Sequence, residues 1–114
     1  MATEAPAGQK RTLSTGPIAR TSDIPRGSMI GAVFEGQRIL LANVDGEFLA
    51  MRSVCNHLGG PLEKGTLEGN VVTCPLHGSK WDVRTGALVK FTRPLPPEPV
   101  FRVSVRGEDI FVEK

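Results

Sequence analysis

The 114-residue chain has no tyrosine, and aromatic residues make up only 5% of it. No apolar run approaches the ~20 residues that a membrane-spanning helix needs, so no contact with a membrane is expected. Residues 1–16 also lack the apolar segment of a secretory signal. These absences favour a cytoplasmic protein. Disulfides are rare in that compartment, so Cys55 and Cys74, the only cysteines, are expected to stay unpaired.

Excess charge of one sign is also scarce. The net charge of +2 arises within residues 1–20, because residues 21–114 carry eleven basic and eleven acidic groups. The basic residues form no run and are not interleaved with aromatic ones. Nucleic-acid binding is therefore not expected.

Short apolar runs separated by turn residues organise most of the chain. Residues 1–16 show no periodicity and are predicted to form a flexible tail, which leaves one domain over residues 17–114. Strands are predicted at 29–34, 37–44, 70–74, 86–91, 100–105 and 109–114. Glu35-Gly36 and Asp45-Gly46 are predicted hairpin turns. Sustained helical periodicity is missing, so the sequence predicts an antiparallel all-β sandwich or small barrel.

Both cysteines and both histidines of the chain lie in two tight groups. Cys55-x-His57 is followed after sixteen residues by Cys74-x-x-His77. This clustering predicts a metal site. Zinc sites usually combine a pair of cysteines with a pair of histidines, whereas each group here mixes the two types. A zinc-stapled interaction domain remains an alternative.

A binuclear iron–sulfur cluster accounts for the mixed groups better. Two histidines replace two cysteines on one iron of such a cluster, so each loop can give its cysteine to one iron and its histidine to the other. Gly59, Gly60, Gly65 and Gly78 can let backbone N–H groups approach the sulfides.

The segments "CNHLGG" and "CPLHGSKWDVRTG" resemble those of Rieske iron–sulfur proteins, and in particular the small soluble ferredoxins of ring-hydroxylating dioxygenase systems. The likeness runs from about Ile18 to the C-terminus. It includes "RPLPPEPV" (93–100), which resembles the third loop that covers the cluster. The resemblance implies a Rieske-type β-sandwich or small barrel with two cluster-binding loops and one [2Fe–2S] cluster. It also implies that Cys55 and Cys74 bind the inner iron, and His57 and His77 the outer iron.

The chain departs from the respiratory branch of this family. That branch has an extra cysteine in each loop, where this chain has Gly60 and Leu76, and a tyrosine donor, where this chain has Trp81. Ser79 keeps a donor beside the second loop. Trp81 is expected to pack as core beneath the loops, and Leu58 and Leu76 to form an apolar rim.

An electron carrier, rather than an enzyme, is the function that the resemblance implies. A Rieske oxygenase needs a second iron held by two further histidines and a carboxylate, and both histidines are already used. The expected partners are a flavin-dependent reductase and a terminal oxygenase, which dock transiently on a monomer. A small Rieske subunit of a nitrite reductase or of another oxidoreductase complex remains the alternative.

The expected docking face surrounds the two histidines and is mostly small or apolar. Exposed apolar patches usually mark contact surfaces. Glu63, Lys64 and Lys80 are expected to orient a partner at its edge. The face itself is predicted to comprise Leu58, Gly59, Gly60, Leu76, Gly78, Pro94, Pro96 and Pro97.

Overall fold

The computed structural model describes residues 16–57 and 59–114, so the predicted tail lies outside them except for Gly16. These residues form ten strands and two short 3-10 turns, Thr21–Asp23 and Leu62–Lys64. The strands are β1 (Ala19–Arg20), β2 (Met29–Phe34), β3 (Gln37–Val44), β4 (Glu47–Arg52), β5 (Thr66–Glu68), β6 (Val71–Thr73), β7 (Lys80–Asp82), β8 (Leu88–Lys90), β9 (Val100–Arg106) and β10 (Asp109–Glu113). None of the helical turns in the described residues is long and apolar enough to cross a membrane.

The strands form two antiparallel sheets. The larger sheet has the order β1-β10-β9-β4-β3-β2, and the smaller sheet has the order β5-β6-β7-β8. Most neighbours are joined by hairpins, so local turn chemistry decides much of the pairing. The predicted all-β antiparallel class is confirmed.

Two predicted hairpin turns are confirmed by their backbone angles. Glu35 and Gly36 join β2 to β3 with φ values of 50° and 79°. Asp45 and Gly46 join β3 to β4 with φ values of 56° and 96°. Positive φ at both central residues defines the two-residue turn whose twist matches the flanking strands.

Strand β3 lies in the core and is buried on both faces. Its Leu40 and Ala42 pack in the cluster that contains Cys55, Cys74 and Trp81. The alternating residues Ile39 and Leu41 pack on the opposite side in a second cluster. The apolar run "ILLANV" fits such a position. The two cysteines therefore belong to a hydrophobic core.

The smaller sheet contains two strands that the sequence pattern does not reveal. Strands β5 and β7 each have one apolar residue, Leu67 or Trp81, between two polar ones, so neither forms an apolar run. Strand β7 pairs with both β6 and β8 and carries Trp81 in its centre. The sheet thereby fixes the loop that carries Cys74 and His77, which connects β6 to β7, while the loop that carries Cys55 and His57 follows β4.

Candidate metal centre

The two loops that carry the cysteines have the same backbone hydrogen bonds. In residues 55–60, Cys55 N–H donates to Gly60 O (2.9 Å) and Gly59 N–H donates to Cys55 O (2.8 Å). In residues 74–79, Cys74 N–H donates to Ser79 O (2.8 Å) and Gly78 N–H donates to Cys74 O (3.2 Å). Each cysteine thus begins a six-residue loop closed by bonds to the fourth and fifth residues after it.

The fifth residue of each loop has a left-handed backbone conformation. Gly59 has φ 76° and Gly78 has φ 78°. A residue with a Cβ rarely adopts these angles, and glycine does so without steric cost. Gly59, two residues after His57, and Gly78, directly after His77, are therefore explained by loop closure. The equal position of both glycines supports the view that one loop type occurs twice.

The ligand-type side chains separate into an inner and an outer pair. Cys55 and Cys74 are 3% and 4% exposed and lie in the core. His77 is exposed and His57 is half-buried, with 4.9 Å between the ring centroids. The arrangement brings all four predicted ligands to one end of the domain, with sulfur inside and imidazole outside.

Several neighbours lower the pKa of His57. Partial desolvation of the ring is the largest cause, and the Arg93 guanidinium and the His77 ring add to it. A lower pKa favours the neutral imidazole, which is the form that binds metals. Phe91 also packs against this ring, with a centroid distance of 4.7 Å.

The sixth residue of each loop faces the cysteine of the other loop. Ser79 Oγ lies 3.3 Å from Cys55 Sγ. A Cβ placed on Gly60 would lie 2.8 Å from Cys74 Sγ, closer than real side chains approach. Glycine at this position is therefore required by the close approach of the two loops, and the two sulfurs have unequal neighbours.

The same Gly60 also faces Leu76. The Cβ placed on Gly60 would lie 3.0 Å from Leu76 Cδ1. These are the two positions at which the resemblance implies an extra cysteine in each loop of the respiratory branch. In this chain the two positions lie close together across the loops.

Trp81 packs beneath the loops and also makes a specific hydrogen bond. Its side chain is fully buried, and its indole Nε1–H donates to Ser79 Oγ over 3.0 Å. The prediction that Trp81 belongs to the core is confirmed. The hydrogen bond to Ser79 was not predicted.

A polar network around the buried Glu98 joins the first loop to the proline segment. Glu98 Oε2 accepts a hydrogen bond from Asn56 N–H (2.8 Å), and Asn56 Nδ2 donates to the carbonyls of Pro96 (2.8 Å) and Pro97 (3.2 Å). Asn56 lies between Cys55 and His57 in sequence. The resemblance predicted a third loop over the cluster, and this network anchors it.

Arg52 completes that network. Its Nε lies 3.0 Å from Glu98 Oε1, and its guanidinium also donates to Asn56 Oδ1. The Glu98 side chain is 0% exposed. Burial raises the pKa of Glu98, and the bonds from Arg52 and Asn56 counteract this rise only in part. The partners of Glu98 are 42 and 46 positions away in sequence, so no local sequence feature indicates this network.

Glu63 does not belong to the exposed edge at which it was predicted. Its carboxylate accepts a hydrogen bond from the Ser53 hydroxyl, pairs with Arg38 over 2.7 Å, and is 11% exposed. Burial alone would raise the pKa of Glu63, but bonds from Ser53, its own backbone N–H and Arg38 lower it overall. Glu63 therefore braces the chain beside the first loop.

The remaining residues of the predicted face have mixed positions. Gly59, Pro94, Pro96 and Pro97 are exposed, and Leu76 is 56% exposed. Gly60 is buried. Lys64 is exposed, and Lys80 Nζ donates to Thr73 Oγ1 over 2.9 Å. Leu58 lies outside the described residues.

A comparison with protein-family models decides the family. The model described as "Rieske [2Fe-2S] domain" matches residues 14–112. The chain belongs to the Rieske [2Fe–2S] family. Its cofactor is therefore one [2Fe–2S] cluster of the Rieske type.

Named relatives and solved structures agree with this assignment. The chain is 38% identical over 92 residues to the biphenyl dioxygenase ferredoxin subunit of Pseudomonas sp. (strain KKS102), covering 80% of this chain and 84% of the relative. The ferredoxin of carbazole 1,9a-dioxygenase from Nocardioides aromaticivorans IC177 matches with a TM-score of 0.82 and 26% identity, covering 88% of this chain and 98% of that one.

A third match is a chain in a complex of reduced oxygenase and oxidized ferredoxin in carbazole 1,9a-dioxygenase. Its TM-score is 0.79 at 28% identity, covering 85% of this chain and 90% of that one. The relatives are ferredoxin components, and this chain is likewise an electron carrier rather than an enzyme.

The side chains present fit a Rieske cluster. Such a cluster takes two cysteines on one iron and two histidines on the other, and the loops supply one of each. In the described part of the chain, no group of three or more His, Cys, Asp and Glu side chains is placed to hold one metal ion. Cys74 Sγ lies close to Gly60, so this sulfur faces the first loop as well as its own loop.

Proposed function

We propose that Cys55 and Cys74 hold the inner iron of the cluster and that His57 and His77 hold the outer iron. The observation that carries this assignment is the pair of matched loops, each with a buried sulfur and an outward imidazole. When bound, the cluster stores one electron. The two loops would hold it from opposite sides, and the surrounding core would keep water from the sulfurs.

The electron would pass from a flavin-dependent reductase to the terminal oxygenase of a ring-hydroxylating dioxygenase system. The oxygenase–ferredoxin complex among the structural matches supports the second step. The biphenyl dioxygenase relative supports this role over that of a nitrite reductase subunit. The reductase partner, the monomeric state and the cytoplasmic location remain predictions from the sequence.

Both partners would dock on the face around His57 and His77. The exposed side chains of Leu76, Pro94 and Pro96 support this proposal because they are apolar and lie on the loops that border the two rings. The rate of electron transfer falls steeply with distance, so the partner has to approach the imidazoles. Gly59, Pro97 and Leu58 are proposed members of the same face.

Metal analysis tests the ligand assignment. Anaerobically purified protein should contain two irons and two acid-labile sulfides per chain. Cys55→Ser and Cys74→Ser should abolish loading, and His77→Cys should lower the midpoint potential toward that of all-cysteine clusters. Leu76→Ala is the matched control, because it shortens a side chain in the same loop as Cys74 and His77 without removing a ligand. One zinc and no iron would instead establish the zinc-stapled domain.

Electron-transfer kinetics test the docking face. The reductase of a biphenyl dioxygenase system can serve as the electron donor in stopped-flow experiments. Pro96→Asp should slow reduction while the visible spectrum stays unchanged. Val105→Asp is the control, because Val105 is also exposed but lies away from the proposed face. It is five residues along β9 from Val100, the residue that pairs with β4 close to the first loop. Equal rates in the two variants would place docking elsewhere.

A further inference from the structure

The hydrogen bond from Trp81 to Ser79 connects an indole deep in the core with a sulfur of the metal centre. Trp81 Nε1 lies 3.0 Å from Ser79 Oγ, which lies 3.3 Å from Cys55 Sγ. We infer that Trp81 is a positioning residue: it fixes the Ser79 hydroxyl so that its proton points at the Cys55 sulfur and raises the reduction potential of the cluster. The inference rests on the proposed function, because it requires Cys55 to bind iron.

The chemistry of the three groups determines the direction of the bonds. An indole N–H can only donate, and a serine hydroxyl has one proton and two lone pairs. A cysteine that binds iron is a thiolate and can only accept. Since Trp81 occupies one lone pair of Ser79 Oγ, the single hydroxyl proton is free to turn toward Cys55.

Burial makes this chain of hydrogen bonds effective. Trp81, Ser79 and Cys55 are 0%, 1% and 3% exposed. Hydrogen bonds are stronger in such surroundings, and each member of a chain polarises the next. A donor to a cluster sulfur stabilises the reduced state, which carries more negative charge. Strengthening that donor should therefore raise the potential.

The surrounding structure leaves the indole and the hydroxyl little freedom. Trp81 lies in the centre of β7, opposite Val72 on β6 and Leu88 on β8. Ser79 O accepts the hydrogen bond that closes the second loop. Both anchors hold the hydroxyl between the indole and the sulfur.

The effect is confined to one side of the centre. At the equivalent position of the first loop, Gly60 has no side chain to offer to Cys74. Among the described residues, Ser79 is the residue whose side chain hydrogen-bonds to a cysteine sulfur. Removal of the Trp81 N–H should therefore act through Ser79 and Cys55 alone.

A double-mutant cycle on the midpoint potential tests the inference. Ser79→Ala should lower the equilibrium constant for reduction about tenfold, which is ~59 mV for a one-electron couple. Trp81→Phe should lower it several-fold when Ser79 is present and should have no further effect in the Ser79→Ala protein. A packing effect of Trp81 would appear equally in both backgrounds, and that result would overturn the inference.

A second variant keeps the test valid if Trp81→Phe fails to load its cluster. Trp81 is the single tryptophan of the chain, so biosynthetic replacement by benzothienylalanine changes this site alone. That analogue keeps the ring size and lacks the N–H donor. It should lower the potential as Trp81→Phe does, and an unchanged potential with an intact cluster would overturn the inference.

The electron paramagnetic resonance spectrum separates this failure from failure of the proposed function. A Rieske spectrum in wild type and variants, without coupling in the cycle, would reject the role of Trp81 alone. Absence of a Rieske spectrum from the iron-loaded wild type after chemical reduction with dithionite would reject the ligand assignment, and the inference with it.

Discussion

Removal of the Glu98 carboxylate should loosen the metal centre from outside its ligand loops. Glu98 Oε2 accepts a hydrogen bond from the backbone N–H of Asn56, which lies between the two proposed ligands of the first loop, while Oε1 pairs with Arg52. Asn56 in turn holds the carbonyls of Pro96 and Pro97. We therefore expect Glu98→Ala to free the first loop and the proline segment together.

The burial of each partner sets the size of this effect. Removing one member of a buried ion pair costs ~3–5 kcal/mol. Arg52 is 31% exposed and can regain some hydration, so the low end, ~3 kcal/mol, applies. Glu98→Gln keeps one acceptor oxygen and removes a buried charge, so it should cost less, ~1–2 kcal/mol.

The rate of iron loss to a chelator measures this loosening. Metalloproteins rarely unfold in two states, so a rate is better defined than an equilibrium midpoint. With ~1.4 kcal/mol per tenfold change, Glu98→Ala should release iron about a hundredfold faster and Glu98→Gln about tenfold faster, provided that local opening precedes release.

Glu113 provides the matched control for a lost carboxylate. It lies 3.7 Å from Arg102, and these side chains are 68% and 81% exposed. Exposed pairs contribute little, so Glu113→Ala should change the rate less than about threefold. A Glu98→Ala rate within threefold of this control would refute the anchoring role of the network.

Three further outcomes are expected. The midpoint potential should fall on the order of −150 to 0 mV, at the low end of the Rieske range, because the tyrosine donor is missing; voltammetry giving more than about +200 mV would contradict this. The Glu63 pKa is lowered on folding, so the stabilisation by Glu63 is present above its unfolded pKa, ~4.3, and is lost as pH falls through the folded pKa. Wild type should thus exceed Glu63→Gln in resistance to denaturant at pH 7, and the gap should narrow below pH 4.3; a constant gap would disprove this. Gly60→Ala should reduce iron loading because its Cβ collides with Cys74 Sγ, whereas Gly16→Ala, in open space, should not.

Local chemistry explains why much of the larger sheet could be predicted from the sequence. The Glu35-Gly36 and Asp45-Gly46 pairs form tight turns, and each turn pairs the strand before it with the strand after it. The four proposed ligand residues could be singled out because all cysteines and histidines lie in two short groups. Both features depend on neighbours in the chain.

The features that escaped prediction depend on residues far apart. Glu98 and Asn56 are 42 positions apart, and nothing local distinguishes Glu98 from a surface acid in a proline-rich segment. Glu63 was expected at the edge of the docking face, together with Lys64 and Lys80. Its inward position follows from its bonds to Arg38 and Ser53, which the pairing of β3 with β4 places side by side.

The spacing of the ligands conceals the repetition of the loops. Cys-x-His and Cys-x-x-His look like different motifs, yet both cysteines begin loops with the same closing bonds and the same left-handed glycine. The histidine occupies the third residue of one loop and the fourth residue of the other, so the second loop has Leu76 where the first has His57. The spacing of the proposed ligands therefore depends on which side chains of each loop point toward the metal. The backbone of the loop is set instead by the glycine and by the hydrogen bonds of the cysteine, and these were the same on both sides.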